Sequence, residues 1–230
     1  HAPGRVLDVY LTEAALERHS EIWDEAVAAG LYVHVTTQQV MDAMSPDAQG
    51  LLAVVATEEA TGSEALASAL EGARLVAVLT QAQDPGNAGT IIRAADAAGA
   101  DAVVLVRGSV DPTAPKVVRS TAGSLFHLPV VTGVALEDAV TALHNAGLTV
   151  LAADGRGDFD LFEAESLLEA PSAWLLGNEA HGLPSEALSR ADAVVSIPIY
   201  GKAESLNVAA AAAVCLYASA RAQAQNSGRS

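Results

Sequence analysis

A chain of 230 residues, 51% of them hydrophobic, is long enough to bury one large core or two small ones. Its 28 acids against 12 Lys and Arg leave a formal charge of −16, which excludes a generic polyanion binder, because bulk affinity for phosphate needs a basic surface. The single cysteine, Cys215, excludes an internal disulfide framework and suits a reducing, cytoplasmic setting, and no apolar run approaches the ~18–20 residues of a membrane span.

The chain begins His1-Ala2-Pro3-Gly4 without a methionine and enters a strand almost at once, so a fragment whose first element is missing is expected. A strand over 6–11 leads through Thr12, a helix cap, into one acidic helix over 13–29 that Gly30 ends. A strand over 31–35, a short helix over 38–44 and a strand over 51–56 complete a small α/β unit, residues 1–57, that carries no catalytic constellation. Residues 58–73, rich in Glu, Ala, Ser and Thr, read as a linker or a loosely attached helix.

From residue 74 the alternation becomes regular. The apolar run 75–79 is a strand of the kind covered on both faces in a parallel sheet. There follow a helix over 88–98 stopped by Gly99, a strand over 102–106, a short helix over 116–123, a strand over 129–131 and a helix over 136–145 closed by Gly147. A strand over 148–152, an acidic irregular stretch over 158–168, a strand over 173–176 and a short helix over 185–190 lead to a final strand, loop and alanine-rich helix. This order predicts an α/β fold, a parallel sheet with helices on both faces, over 74–222, with a flexible polar tail over 223–230.

Three stretches carry chemistry. The first, Asp84-Pro85-Gly86-Asn87-Ala88-Gly89-Thr90-Ile91-Ile92-Arg93, follows a strand and opens a helix, a geometry that presents backbone N–H groups to phosphate. It is neither GxGxxG nor GxxxxGK[ST], which removes the dinucleotide and nucleoside-triphosphate fingerprints. Asn87 can cap the helix. Gly89 and Arg93, four apart, share a face, so a guanidinium would stand one turn below the gap left by glycine; the bland alternative is a solvated arginine. The second, Gly177-Asn178-Glu179-Ala180-His181-Gly182-Leu183-Pro184, is a polar loop at a strand's C-terminal end, where open α/β sheets bind ligands. There Glu179 could orient a substrate group, and His181 is either a base or ordinary polar surface. In the third, 194–213, Pro198 ends a strand, Gly201 frees the backbone and Ser205 is a good N-cap for the alanine helix. Ser205 and Asn207 thus sit at a helix N-terminus that would hold an anion or a polar small molecule, or that is simply capped.

Any one of these is weak. In their order, with Asn87-x-Gly-x-x-x-Arg93, Gly177-x-Glu-x-x-Gly-Leu and Ile197-Pro-Ile-x-Gly…Glu-Ser-Leu-Asn-Val208, they resemble the three motifs of the SpoU branch of the SPOUT methyltransferases over about residues 74–220. The N-terminal unit is similar to the L30e-like substrate-binding domain of the ribosomal-RNA and thiostrepton-resistance members. Arg119-Ser120-Thr121-Ala122-Gly123 with His127-Leu128-Pro129 resembles a family segment lying near the RNA.

The resemblance implies S-adenosylmethionine as methyl donor, a ribose 2′-hydroxyl of RNA as acceptor, most readily in 23S ribosomal RNA, a C-terminal trefoil knot and a homodimer through the knotted helices. It places Gly177, Ile197 and Leu206 around the adenosine. It makes Arg93 the candidate base, with Asn87, Glu179, Ser205 and Asn207 positioning it and the ribose, and it puts Arg93, Arg119 and Thr121 against RNA. No metal and no membrane partner are implied. The alternatives are a tRNA ribose methyltransferase and a cofactor-binding RNA-binding protein without turnover; a Rossmann dehydrogenase lacks its glycine fingerprint. The chain departs from the family in its acidity: Lys116 and Lys202 are its lysines, so substrate affinity is expected to depend partly on residues before His1.

Overall fold

The computed structural model describes residues 5–56, 60–178 and 181–227, and its contacts divide the chain into two units, residues 1–58 and 59–230. Glu179 of the second motif lies outside the described residues.

The first unit is a three-stranded sheet in the order β2-β1-β3. Here β1 (Val6–Thr12) pairs parallel with β2 (Tyr32–Thr36) and antiparallel with β3 (Leu51–Val55). Val9 and Leu11 on one face of β1 pack with Ala15 and Ala26, flanked by Leu16 and Trp23. The single helix expected over 13–29 is two, α1 (Glu13–Arg18) and α2 (Ser20–Ala28), because His19 leaves the helical region at φ −135° and ψ 47°. The Thr12 hydroxyl accepts the Ala15 N–H at 3.2 Å, the cap that residue predicted. Gln38–Met44 forms α3.

The second unit is a seven-stranded sheet in the order β6-β5-β4-β9-β7-β10-β8, parallel throughout. Its strands are β4 (Leu75–Leu79), β5 (Ala102–Val106), β6 (Val130–Val134), β7 (Thr149–Ala153), β8 (Phe159–Asp160), β9 (Ser172–Leu176) and β10 (Ala193–Ser196). Alternate residues of β4 face opposite ways, as the pleat requires. Leu75, Ala77 and Leu79 pack against α5 (Pro85–Ala97) and α10 (Val208–Ser227). Val76 and Val78 share a second core with α4 (Gly62–Ala69), α7 (Leu136–Asn145) and α9 (Ser185–Arg190). Both faces of the sheet are therefore covered, which is why its central strands read as unbroken apolar runs.

Three expectations need correction. Residues 60–73 are not a loose linker: α4 buries Leu66, and Leu70 just after it is buried too, four residues apart on one helical face. The acidic stretch 158–168 contains β8 and the short α8 (Glu165–Leu168), with Leu161 and Leu168 in the core. The tail is ordered as helix as far as Ser227, because buried Gln223 donates to the Ala170 carbonyl at 3.0 Å and the Arg74 carbonyl at 3.2 Å. Just inside it, Ser219 accepts the Trp174 indole N–H at 2.9 Å. These bonds satisfy polar groups that burial would otherwise leave costly.

Candidate active site

Because all seven strands run the same way, the loops after β4, β7, β9 and β10 emerge at one edge of the sheet, where parallel α/β sheets hold their ligands. Each loop is fixed by a short list of bonds.

After β4, the buried Thr80 hydroxyl and N–H both donate to the Leu176 carbonyl at 2.9 Å, tying this loop to the end of β9. Helix α5 is capped by Asp84, whose carboxylate accepts the Asn87 N–H at 2.8 Å, and not by Asn87; Pro85, with its fixed φ, sets the first helical turn one residue after that cap. Asn87 is thereby left with its side chain free to turn outward. Gly89 leaves no gap for a guanidinium to fill: a Cβ there would collide with the Ser120 side chain of α6 (Pro115–Thr121), so the glycine serves close helix packing. Arg93 lies about 9 Å further along the α5 axis than Asn87 at 1.5 Å per residue. It is exposed and makes no ion pair or side-chain hydrogen bond among the described residues.

After β10, the loop reaches α10 with no backbone–backbone hydrogen bond from the N–H groups of residues 197–206 among the described residues. Asn207, not Ser205, caps α10: its side-chain oxygen accepts the N–H groups of Ala209 at 2.9 Å and Ala210 at 3.3 Å. Its amide then donates to the Asn87 side-chain oxygen at 3.1 Å, joining the first motif to the third. Ser205 is exposed in the loop, Leu206 is 41% exposed and Ile197 is half-buried against the core.

After β9, Asn178 and Gly182 exchange both backbone hydrogen bonds at 2.9 Å, closing a tight loop. A Cβ on Gly177 would meet the Leu183 nitrogen at 2.6 Å and the Gly182 oxygen at 2.8 Å, so only glycine admits this closure. After β7, Asp154 is held below the usual carboxylate range chiefly by its hydrogen bond from Arg156, and Gly157 lies flat against the backbone of β10.

Arg119 is exposed on α6. Thr121 is fully buried and donates its hydroxyl to the Val118 carbonyl at 2.7 Å, which removes it from the residues able to touch RNA. Cys215 is buried and its thiol is pushed up to about 12 by that burial, so it is chemically inert. Among the described residues no cluster of His, Cys, Asp or Glu could hold a metal ion, and no helix is long and apolar enough to cross a membrane. The sequence reading missed Asp84, although Asp before Pro is a familiar helix start, and Gln81, whose positive φ no local pattern announces.

Comparison with known proteins covers the same ground. The sequence profile of the SpoU rRNA Methylase family matches residues 74–217. The chain is 42% identical over 151 residues to the 23S rRNA (guanosine(2553)-2′-O)-methyltransferase RlmP of Bacillus subtilis, spanning 64% of this chain and 58% of that one. It is 28% identical over 225 residues to the 23S rRNA (guanosine-2′-O-)-methyltransferase RlmB of Bordetella pertussis, spanning 96% of this chain and 91% of that one. Among solved structures it superposes on the SpoU methyltransferase AviRb from Streptomyces viridochromogenes in complex with AdoMet, with a TM-score of 0.82, 28% identity, and coverage of 97% of this chain and 85% of that one. Three ordered motifs, a parallel sheet that brings them to one edge and these matches lead to one conclusion: the chain belongs to the SpoU rRNA methylase family.

Proposed function

We propose that this chain is an S-adenosylmethionine-dependent methyltransferase that modifies a ribose 2′-hydroxyl of 23S ribosomal RNA. The observation that carries the reading is the Asn207–Asn87 hydrogen bond at 3.1 Å, which joins two motifs distant in sequence, one of them on the helix that also carries the exposed Arg93. Relatives named for 23S rRNA favour that substrate over tRNA.

The residues present fit the cofactor. An adenosine moiety needs backbone donors and acceptors beside an apolar wall. The loop 197–206 supplies N–H groups with no backbone partner, Ile197 and Leu206 supply the wall, and the side-chain-free Gly177 lets the second loop close beside them. Bound there, S-adenosylmethionine would supply an electrophilic methyl on a sulfonium, whose departure as a thioether needs no acid. Arg93 then acts at the ribose hydroxyl, which is a poor nucleophile until its proton leaves. A guanidinium stays protonated in water, so this role is coupled to an RNA phosphate that relays the proton or offsets the charge. Asn87, Ser205 and Asn207 hold the ribose and Arg93 in register, with Glu179 as the motif's further contributor.

We assign the first unit to RNA binding as an L30e-like domain. The second unit, we infer, contains a trefoil knot: β10 sits between β7 and β8, whereas α10, which follows it, packs on β4, β9 and α5, and Gly157 of the intervening loop lies on β10. A homodimer forms along α10, a reading supported by a 460 Å³ groove whose wall includes exposed Phe162 and Tyr217. Work in a reducing cytoplasm is in keeping with the unpaired thiol of Cys215.

The test is transfer of labelled methyl from S-adenosylmethionine to separated ribosomal and transfer RNAs. Label in one ribosomal RNA, resistant to alkaline cleavage at one nucleotide, supports the reading. Cofactor binding with no label in any RNA or ribosomal particle refutes it.

A further inference from the structure

At the sheet's C-terminal edge lies a cavity of about 670 Å³, within the range of small-molecule sites, whose described lining includes Thr80, Gln81, Gln83, Asp84, Asn178 and His181. No residue of the loop 197–206 is among its described lining, whereas Gly177 packs against Gly182 on its wall, so it lies next to the site assigned to adenosine without including that loop. It adjoins the reacting centre: Asp84 on its wall holds the Asn87 N–H at 2.8 Å, and Asn87 holds Asn207 at 3.1 Å.

Its chemistry narrows the occupant. No lysine or arginine is among these lining residues, and the Asp84 carboxylate already offsets the positive end of α5, so a phosphate would meet repulsion without a counter-charge. Three carboxamides, an imidazole and a carboxylate suit an uncharged ring with hydrogen-bonding edges. Most of these groups are committed. The Thr80 hydroxyl is spent on Leu176, the Gln83 amide donates to the Gly108 carbonyl at 2.7 Å, and the Asn178 amide donates to the Gln81 carbonyl at 2.9 Å.

Gln81 and His181 differ: neither side chain makes a hydrogen bond among the described residues. Gln81 is moreover held at φ +56°, a left-handed conformation unusual outside glycine and of the kind that clusters at functional sites. A carboxamide offers a donor and an acceptor side by side, the complement of a base edge.

We propose that this cavity receives the base of the target nucleotide, with Gln81 and His181 reading its hydrogen-bonding edge. The proposal rests on the methyltransferase reading above. It makes the pair specificity-determining residues, set apart from the Asn87–Arg93 machinery that acts on the ribose.

The experiment uses the full chain and 23S rRNA transcripts. Wild-type protein first locates the methylated nucleotide by its resistance to alkali; transcripts with another base at that position are then compared. Gln81→Gly removes the amide while suiting the positive φ, and His181→Ala alters an exposed side chain. Each variant should lose about tenfold in kcat/KM on the native transcript and show reduced discrimination against the replaced base, with S-adenosylmethionine affinity by calorimetry and the melting temperature unchanged. Weakened cofactor binding would assign the cavity to the cofactor and overturn the proposal. Unchanged rates and unchanged discrimination would place the base elsewhere and overturn it equally. No transfer by the wild-type chain to any RNA would remove the methyltransferase reading, and the base assignment with it.

Discussion

Asn207 does two things through two different atoms, and substitution can separate them. Its side-chain oxygen caps α10, and its amide nitrogen holds Asn87. Asn207→Ala removes both. Loss of an N-cap costs about 1 kcal/mol. Loss of the partly exposed side-chain bond costs roughly 0.5–1 kcal/mol more. At roughly 2–4 °C per kcal/mol for a chain of this size, the melting temperature should fall by about 3–8 °C. Asn207→Asp keeps the accepting oxygen and adds a negative charge that the helix N-terminus favours by about 0.3–1 kcal/mol. It cannot donate, however, and sets a carboxylate oxygen against the Asn87 oxygen. This variant should melt within about 2 °C of wild type while methyl transfer falls at least ~10-fold, the equivalent of about 1.4 kcal/mol of lost positioning. Thermal denaturation and single-turnover methylation of ribosomal RNA measure the two effects on one preparation. Wild-type turnover by Asn207→Asp would show that the Asn87 link plays no part in catalysis, and a melt as low as that of Asn207→Ala would show that the cap has been misread.

Other substitutions probe other parts of the site. Arg93→Ala should abolish methyl transfer and leave S-adenosylmethionine affinity unchanged, as measured by calorimetry, because its exposed guanidinium supports no described neighbour. Gly177→Ala should weaken cofactor binding by tenfold or more, since the new methyl group must displace the backbone of Gly182 and Leu183; titration calorimetry reads it directly. Asp96 is held below its ordinary value of 3.8 first by the Ser124 hydroxyl and then by His127, against the opposing effect of burial. A depressed carboxylate stabilises the fold above its unfolded pKa and loses that contribution as pH falls through the folded value. Asp96→Asn should therefore be less stable than wild type near pH 7 and lose that difference below the ordinary value of 3.8, as followed by urea denaturation at both ends of the range.

The legible parts of the molecule were those in which a local rule met no competitor. Strand β4 is an apolar run with polar flanks, and α7 ends where Gly147 allows a left-handed turn, so composition alone located both. Other features were decided by contacts far along the chain. Ser205 and Asn207 are equally good caps by type, and the bond to Asn87 accompanies the choice of the second. Residues 60–73 looked like a linker because two buried leucines among small polar residues carry little signal. Thr121 sits inside a family-like segment, yet its neighbours' packing buries it. The strand order β4-β9-β7-β10, which brings the motifs to one edge, has no local signature, because it is set by pairings between residues far apart in the chain.

The alanine run 209–213 has a consequence for where the site lies. Alanines are nearly interchangeable, so a helix start built from them would pack against β4 and α5 about as well if it slipped by one residue. Its far end is not interchangeable: Ser219 engages the indole of Trp174, and Gln223 spans two carbonyls of the sheet's opposite edge. Together with the buried Cys215 and Leu216, these polar contacts fix the register of the rod, and with it the height at which Asn207 meets Asn87 more than two helical turns away.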